Sequence, residues 1–291
     1  MHPAPSLILF TTASGLGFGL LAFLGMGLVQ PTGWAAFFWF GLGYGLALAG
    51  LAASSFHLGH PERALKAFSQ WRTSWLSREA VLSVAALLFM APHAAGLTFF
   101  ATPLEGFGML GALLALMTVL ATAMIYAQIK AVPRWHHWSG PAVFLLAALA
   151  GAALLTGTAP LAQFLLAWLA LALLAHWVLG DQRFLAAGST AETATGLGGR
   201  GLVRLLEPPH SGRNYLMREM VHVVGRKHAL KLRVLALVSA TILPALLIWA
   251  WPAAPAAIIV AALAHVAGML AARWLFFAEA EHVVSLYYGR D

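Results

Sequence analysis

The chain contains no cysteine, and only 9% of its 291 residues are charged. Without thiolates it can neither form a disulfide nor ligate an iron–sulfur cluster through sulfur. Ordinary soluble domains carry about 25% charged residues, so the side chains that would cover a water-facing surface are missing. What is abundant is apolar: 61% of the residues are hydrophobic. This excludes a soluble fold and points to a polytopic membrane protein. Seventeen Lys+Arg against ten Asp+Glu leave a formal charge of +7. No soluble basic face for nucleic acid is visible, so the excess reads as a topology signal. The first apolar run, Met1 to Leu28, has no Lys or Arg ahead of it and exceeds a signal-peptide core, so it counts as a span.

A bilayer core about 30 Å thick takes about 20 helical residues. Eight runs fit: Ser6–Leu28, Trp34–Leu58, Glu79–Phe100, Phe107–Gln128, Gly140–Gly157, Leu161–Leu179, Leu232–Trp251 and Ala256–Phe277. They are apolar on every side and lack the alternation of membrane β-strands. The expected fold is therefore all-α, a single anchor domain over 1–291 built as a bundle of eight transmembrane helices. A long basic loop over 181–231 separates the sixth and seventh spans.

Threading eight spans from the N-terminus places all seventeen Lys and Arg on or towards one side, here called face A. The connections on the opposite side, face B, contain none. The positive-inside rule puts face A and both termini in the cytoplasm, which for a bacterial chain means the inner membrane. Tryptophans fall at matching depths: Trp34, Trp39, Trp249 and Trp251 towards face B, and Trp71, Trp75, Trp135, Trp138 and Trp177 towards face A. They read as interfacial anchors. Gly15 and Gly19, and Gly41 and Gly45, stand four apart on the first two spans, a spacing that allows helices to approach closely.

Face A carries the long loops, and long loops are usually functional or disordered. Tyr215–Lys231 mixes apolar and basic residues and suits either an interfacial helix on anionic lipid or a docking surface. Gly196-Leu-Gly-Gly-Arg-Gly201 matches GxGxxG, but no apolar β run precedes it, so it reads as a flexible loop.

Ionisable groups at span ends are costly and point to function. His57 ends the second span and Glu79 opens the third, joined by His57-Leu-Gly-His-Pro-Glu-Arg63 and Ser74-Trp-Leu-Ser-Arg-Glu79. Ser77 is placed to cap the third helix. An imidazole and a carboxyl at the hydrocarbon edge can together exchange protons with a lipid-soluble substrate. Their bland alternatives are carbonyl capping, phosphate binding and pairing with a helix dipole. A second group near the C-terminus, Arg273, Glu279, Glu281, His282, Tyr287 and Tyr288, reads as snorkelling interface residues. His57 and His176, and His93 and His265, stand at paired depths by residue counting, which keeps a haem-b anchor as an alternative. No span holds His or carboxylate pairs at i,i+4, so no zinc site is expected.

The run Ser55-Phe-His-Leu-Gly-His-Pro-Glu-Arg-Ala64, the following Ser74-Trp-Leu-Ser-Arg-Glu79, Ala131-Val-Pro-Arg-Trp135 and Arg273-Trp-Leu-Phe-Phe277 onward resemble the membrane anchor subunit of dimethyl sulfoxide reductase. The resemblance implies an eight-helix anchor without haem or metal of its own. Its partners would be a ferredoxin-like subunit with four [4Fe–4S] clusters and a catalytic subunit with a molybdenum bis-pterin. It also implies a quinone site (ubiquinone or menaquinone), in which the family's histidine and glutamate correspond to His57 and Glu79. Arg63 and Arg78 are added to that site from their position alone. The long basic loop and the cytoplasmic face A look more like a branch serving a cytoplasm-facing sulfite dehydrogenase, which oxidises sulfite to sulfate. The competing classes are a secondary transporter, for which no internal repeat is found, a haem-b anchor, and an anchor without a quinone site.

Overall fold

The computed structural model describes residues 2–56, 60–204, 206–207, 212, 215–216 and 228–288. Among them every regular element is helical and none is a strand. The long elements are α1 (Pro5–Gly25), α2 (Gly33–Ser55), α3 (Trp75–Phe100), α4 (Glu105–Ala127), α5 (Ser139–Leu155) and α6 (Ala159–Ala186). After a short α7 (Ala191–Thr195) come α8 (Ala229–Ala250) and α9 (Pro255–Ala278). Two 3-10 turns, Pro61–Phe68 and Val283–Tyr288, lie outside the bundle's long helices.

Seven of these helices are long and apolar enough to cross a membrane, and α5, with 17 residues, is the shorter eighth. The chain is an integral membrane protein. Hydropathy alone misplaces two helix ends, because a helix does not stop where charge begins. α3 starts at Trp75 rather than Glu79, so Glu79 sits inside the helix. α6 continues past Leu179 to Ala186, carrying Asp181 and Arg183 beyond the apolar stretch.

α1 is the bundle's centre. It packs against α2, α4, α5 and α9, and every residue from Gly17 to Gly25 is buried. The outer helices bury one stripe and turn large apolar side chains outward, among them Phe37, Leu88, Leu113, Trp168 and Leu263. That inverted pattern needs lipid rather than water as the surrounding medium.

Contact between α1 and α2 runs through glycines, though not in the register expected. Gly15, Gly41 and Gly45 face open space. Gly17, Gly43 and Gly50 form the contact: a Cβ on Gly17 would collide with the backbone of Ala47 and Gly43, and one on Gly50 with Ser14. Gly19 meets the Ala148 backbone of α5 instead.

α8 contains a π turn at Val238–Ile242, just before Pro244. Proline lacks the N–H that would continue the α-helical ladder, which is an ordinary cause of such a bulge. Gly268 of α9 packs against Ala240 there, and His265 Nδ1 lies 2.7 Å from the Ala240 carbonyl.

Trp34, Trp249 and Trp251 are exposed near face B, and Trp71 and Trp138 near face A, as interfacial anchors require. Trp135 and Trp177 are not anchors. Trp135 is 4% exposed, donates its Nε1–H to the Phe276 carbonyl at 2.8 Å and stacks on the Phe276 ring. Trp177 is buried beneath Arg233.

Candidate functional site

The connection between α2 and α3 is tied down from the α3 side. Gln70 N–H donates to Ser77 Oγ at 3.1 Å. Ser77 therefore anchors the loop from inside the helix instead of capping it, and Ser74 holds the cap position. Arg78 donates to the carbonyls of Trp71 (3.1 Å) and Arg72 (2.7 Å), and its guanidinium lies 4.4 Å from the centre of the Trp75 ring. Arg63 is exposed on the 3-10 turn, 4.0 Å from Glu62, which also meets His60 at 2.8 Å. Arg63 thus belongs to the loop, and Arg78, in the first turn of α3, ties that loop to the helix. His57 lies outside the described residues.

Glu79 points the other way, into the seam between α3 and α4, and is 4% exposed. No ion pair among the described residues includes it. Its partner is Thr122 of α4, whose hydroxyl hydrogen-bonds Glu79 Oε1. The same hydroxyl lies 3.0 Å from the Thr118 carbonyl. A hydroxyl has one proton to donate and two lone pairs to accept with. When Glu79 is ionised, Thr122 donates to the carboxylate. When Glu79 is protonated, the acid donates to Thr122 and Thr122 donates to the Thr118 carbonyl. Both protonation states are thus hydrogen-bonded without moving a heavy atom, as a group that takes up and releases a proton requires.

One helical turn from Thr122, Tyr126 is buried among the rings of Trp135, Phe144, Phe276 and Phe277. It lies within electrostatic range of both Glu79 and Arg273. Sequence reading passed over Thr122 and Tyr126, although a signal was there. Thr118, Thr122 and Tyr126 repeat every four residues and form a polar stripe on an otherwise apolar helix.

Two members of the C-terminal group, Arg273 and Glu279, do not snorkel. Arg273 is 3% exposed and Glu279 is 5% exposed. Glu279 belongs to a four-member charge network at face A. Arg134, after α4, pairs with Asp181 of α6 and reaches Glu279 at 3.2 Å. Arg233 of α8 donates to both Asp181 oxygens (2.8 and 2.6 Å) and to Glu279 at 2.7 Å. The network borders a cavity of about 270 Å³ that Phe184 and Glu281 also line. Gly180 makes room for it, since a Cβ there would stand 2.8 Å from Arg134 Nη1.

The described histidines of the spans go to separate places. His93 packs on Phe40 and against Gly108 near the face-B end of α3, rather than at mid-membrane. His176 meets Ser139 Oγ at 2.9 Å and stacks on Phe276, and His265 serves the π turn of α8. The GxGxxG stretch follows the capped single turn α7 and contains three glycines at positive φ, with no strand before it. Most of the basic segment 215–231 lies outside the described residues.

The family model of the DMSO reductase anchor subunit (DmsC) matches residues 1–180. One of the sulfite dehydrogenase subunits of Allochromatium vinosum is 34% identical over 328 residues, covering 99% of this chain and 99% of that protein. No solved structure matches the chain.

Proposed function

The chain belongs to the DMSO reductase anchor subunit family, and from that membership we propose that it is the membrane anchor and quinone-reactive subunit of a three-part molybdopterin oxidoreductase. Its partners are a ferredoxin-like subunit with [4Fe–4S] clusters and a molybdopterin catalytic subunit. The whole chain serves as one anchor. The reaction is the oxidation of sulfite to sulfate, with electrons delivered to ubiquinone or menaquinone. The observation that carries this choice is the 34% identity to a subunit of sulfite dehydrogenase along the full length of both chains. The second reading, an anchor of dimethyl sulfoxide reductase that oxidises quinol, rests on the family model over residues 1–180.

Reduction of a quinone consumes two electrons and two protons. A chain without cysteine has no cluster of its own, so the electrons come from the docked subunit. The proton task falls to His57 and Glu79 at face A, with Arg63 in the adjoining loop and Arg78 in the first turn of α3 around them. Glu79 fits the task by its geometry. It is buried, free of a cationic partner among the described residues, and hydrogen-bonded in either protonation state through Thr122 and Thr118. Thr122 keeps the carboxyl in place while its proton leaves or returns. Arg78 holds the loop against the start of α3.

We assign eight crossings, with both termini cytoplasmic in the inner membrane. The charge network supports the count. Arg134 follows α4, Asp181 lies in the last two turns of α6, and they pair, so those two helix ends share a face. α6, with 28 residues, must then start on the opposite face. α5 therefore crosses between them, although its 17 residues reach only about 25 Å. A local thinning of the bilayer accommodates such a helix at small cost. The basic loops at face A support its cytoplasmic side.

A C-terminal tag, mild-detergent purification from native membranes and mass spectrometry of bound proteins test the reading. Recovery of a molybdopterin subunit together with a cysteine-rich ferredoxin-like subunit supports it, and the substrate of the catalytic subunit separates sulfite from dimethyl sulfoxide. Reproducible recovery of the folded chain alone overturns it.

A further inference from the structure

Arg273 of α9 is a buried cation without a counter-ion among the described residues. It is 3% exposed, its Nε has no hydrogen-bond partner, and no described carboxylate pairs with it. The contrast with its neighbours at face A is plain, because Arg134 and Arg233 each face two carboxylates. The central carbon of its guanidinium lies over Phe144, 3.4 Å from the ring centre. That contact leaves its N–H donors, which have no lone pairs to share and need acceptors. An uncompensated charge within a span is costly and calls for a partner.

These donors line a cleft between α1, α5 and α9. Across it, Thr12 Oγ1 is also buried and unpartnered. Its neighbours Thr11 and Ser14 bond back to carbonyls of their own helix, at 2.9 and 2.6 Å, and Thr12 does not. The cleft itself holds about 20 Å³, room for one oxygen-sized group such as a single phosphate oxygen. Its rim, formed by Thr12, Gly15, Leu16 and Val266, is half-exposed, and a Cβ on Gly15 would meet only open space. The cleft thus opens sideways, towards lipid. His265 also lines it, with Nδ1 engaged by the Ala240 carbonyl. Arg273 lies five residues from the face-A end of α9, about 7.5 Å along the axis, within reach of the headgroup layer.

We propose that this cleft is a binding site for a membrane phospholipid of the face-A leaflet, its phosphate oxygens held by Arg273 and Thr12 and its chains lying past Gly15. A phosphate supplies both things the site lacks, a negative charge and several acceptor oxygens. The proposal rests on Arg273 and Thr12 alone and does not depend on the quinone assignment.

The full-length chain, purified in mild detergent and washed, is assayed for bound phospholipid by phosphorus content and lipid mass spectrometry. Wild type and Arg273→Lys retain a phospholipid, whereas Arg273→Gln and Thr12→Val retain it about ten- to a hundredfold less tightly. Thr12→Val keeps size and charge, so it carries the test if Arg273→Gln fails to fold. After delipidation, added phosphatidylglycerol raises the thermal midpoint of wild type but not of the two weakened variants. Equal retention in all variants overturns the proposal. So does stabilisation by inorganic phosphate alone, or recovery of a quinone in place of the phospholipid.

Discussion

The hydroxyl of Thr122 on α4 meets the carboxyl of Glu79 on α3 across a buried helix seam, and the same hydroxyl has the Thr118 carbonyl at 3.0 Å as its other acceptor. Removing the acid should therefore separate proton handling from folding. Glu79→Gln keeps the shape and a hydrogen bond to Thr122 but cannot exchange a proton. Quinone-coupled turnover should fall about a hundredfold or more, with assembly intact, and His57→Ala should do the same. Thr122→Val, which only loosens the carboxyl, should cost about tenfold. Steady-state quinone reduction in membranes measures all three, and wild-type rates in Glu79→Gln would remove Glu79 from the chemistry.

Much of this architecture was legible from hydropathy and charge, because lipid imposes simple demands on length and polarity. The helical class and one carboxyl of the seam came directly from that reading. The partner of that carboxyl did not, since a threonine within a span usually bonds back to its own helix, and the four-residue polar stripe of α4 does not by itself say which residue of α3 faces it. The charge network was missed for a related reason. Asp181 and Glu279 are 98 residues apart, and only helix packing brings them to the same two arginines. The glycine register also needed the structure. A spacing of four singles out Gly41 and Gly45, whereas the α2 glycines that meet α1, Gly43 and Gly50, stand seven apart, and which face meets α1 is decided by the whole bundle.

That register gives a sharp comparison. A methyl group on Gly50 or Gly17 presses on backbone, which cannot swing aside. Gly50→Ala and Gly17→Ala should each destabilise the protein by about 2 kcal/mol. Gly41→Ala, facing open space, should be neutral or stabilising by up to about 1 kcal/mol through helix propensity. Thermal unfolding in detergent distinguishes these, and equal midpoints for Gly41→Ala and Gly50→Ala would place the helix contact elsewhere.

Glu279→Gln tests the network at its most buried acid. The change leaves Arg134 and Arg233 with one carboxylate between them, Asp181, which is half-exposed. Breaking a buried pair from one side costs about 3 kcal/mol, so a large fall in thermal midpoint is expected. Asp181→Asn, in contact with solvent, should cost about 1 kcal/mol. The reverse ranking would show that the bidentate Arg233–Asp181 pair, not the buried acid, holds α6, α8 and α9 together.

His137 lies outside the spans, at the entry to α5. Its Nδ1 accepts the Ser139 N–H at 3.3 Å and faces Ser139 Oγ at 2.9 Å. Burial first, and the Arg183 cation second, hold its imidazole below the usual histidine value. The unfolded chain therefore binds this proton at a higher pH than the folded one. The stability contributed by the neutral ring is fully present above the usual imidazole value. It declines as the pH drops below that value and stops declining once the lowered folded value is passed. Protonation also takes the lone pair that receives the Ser139 N–H, so the loss should appear as fraying at the start of α5. Thermal midpoints measured from about pH 8 to about pH 5 should fall in wild type and fall less in His137→Gln. Parallel curves for the two proteins would mean that the acid sensitivity of this face arises from another group.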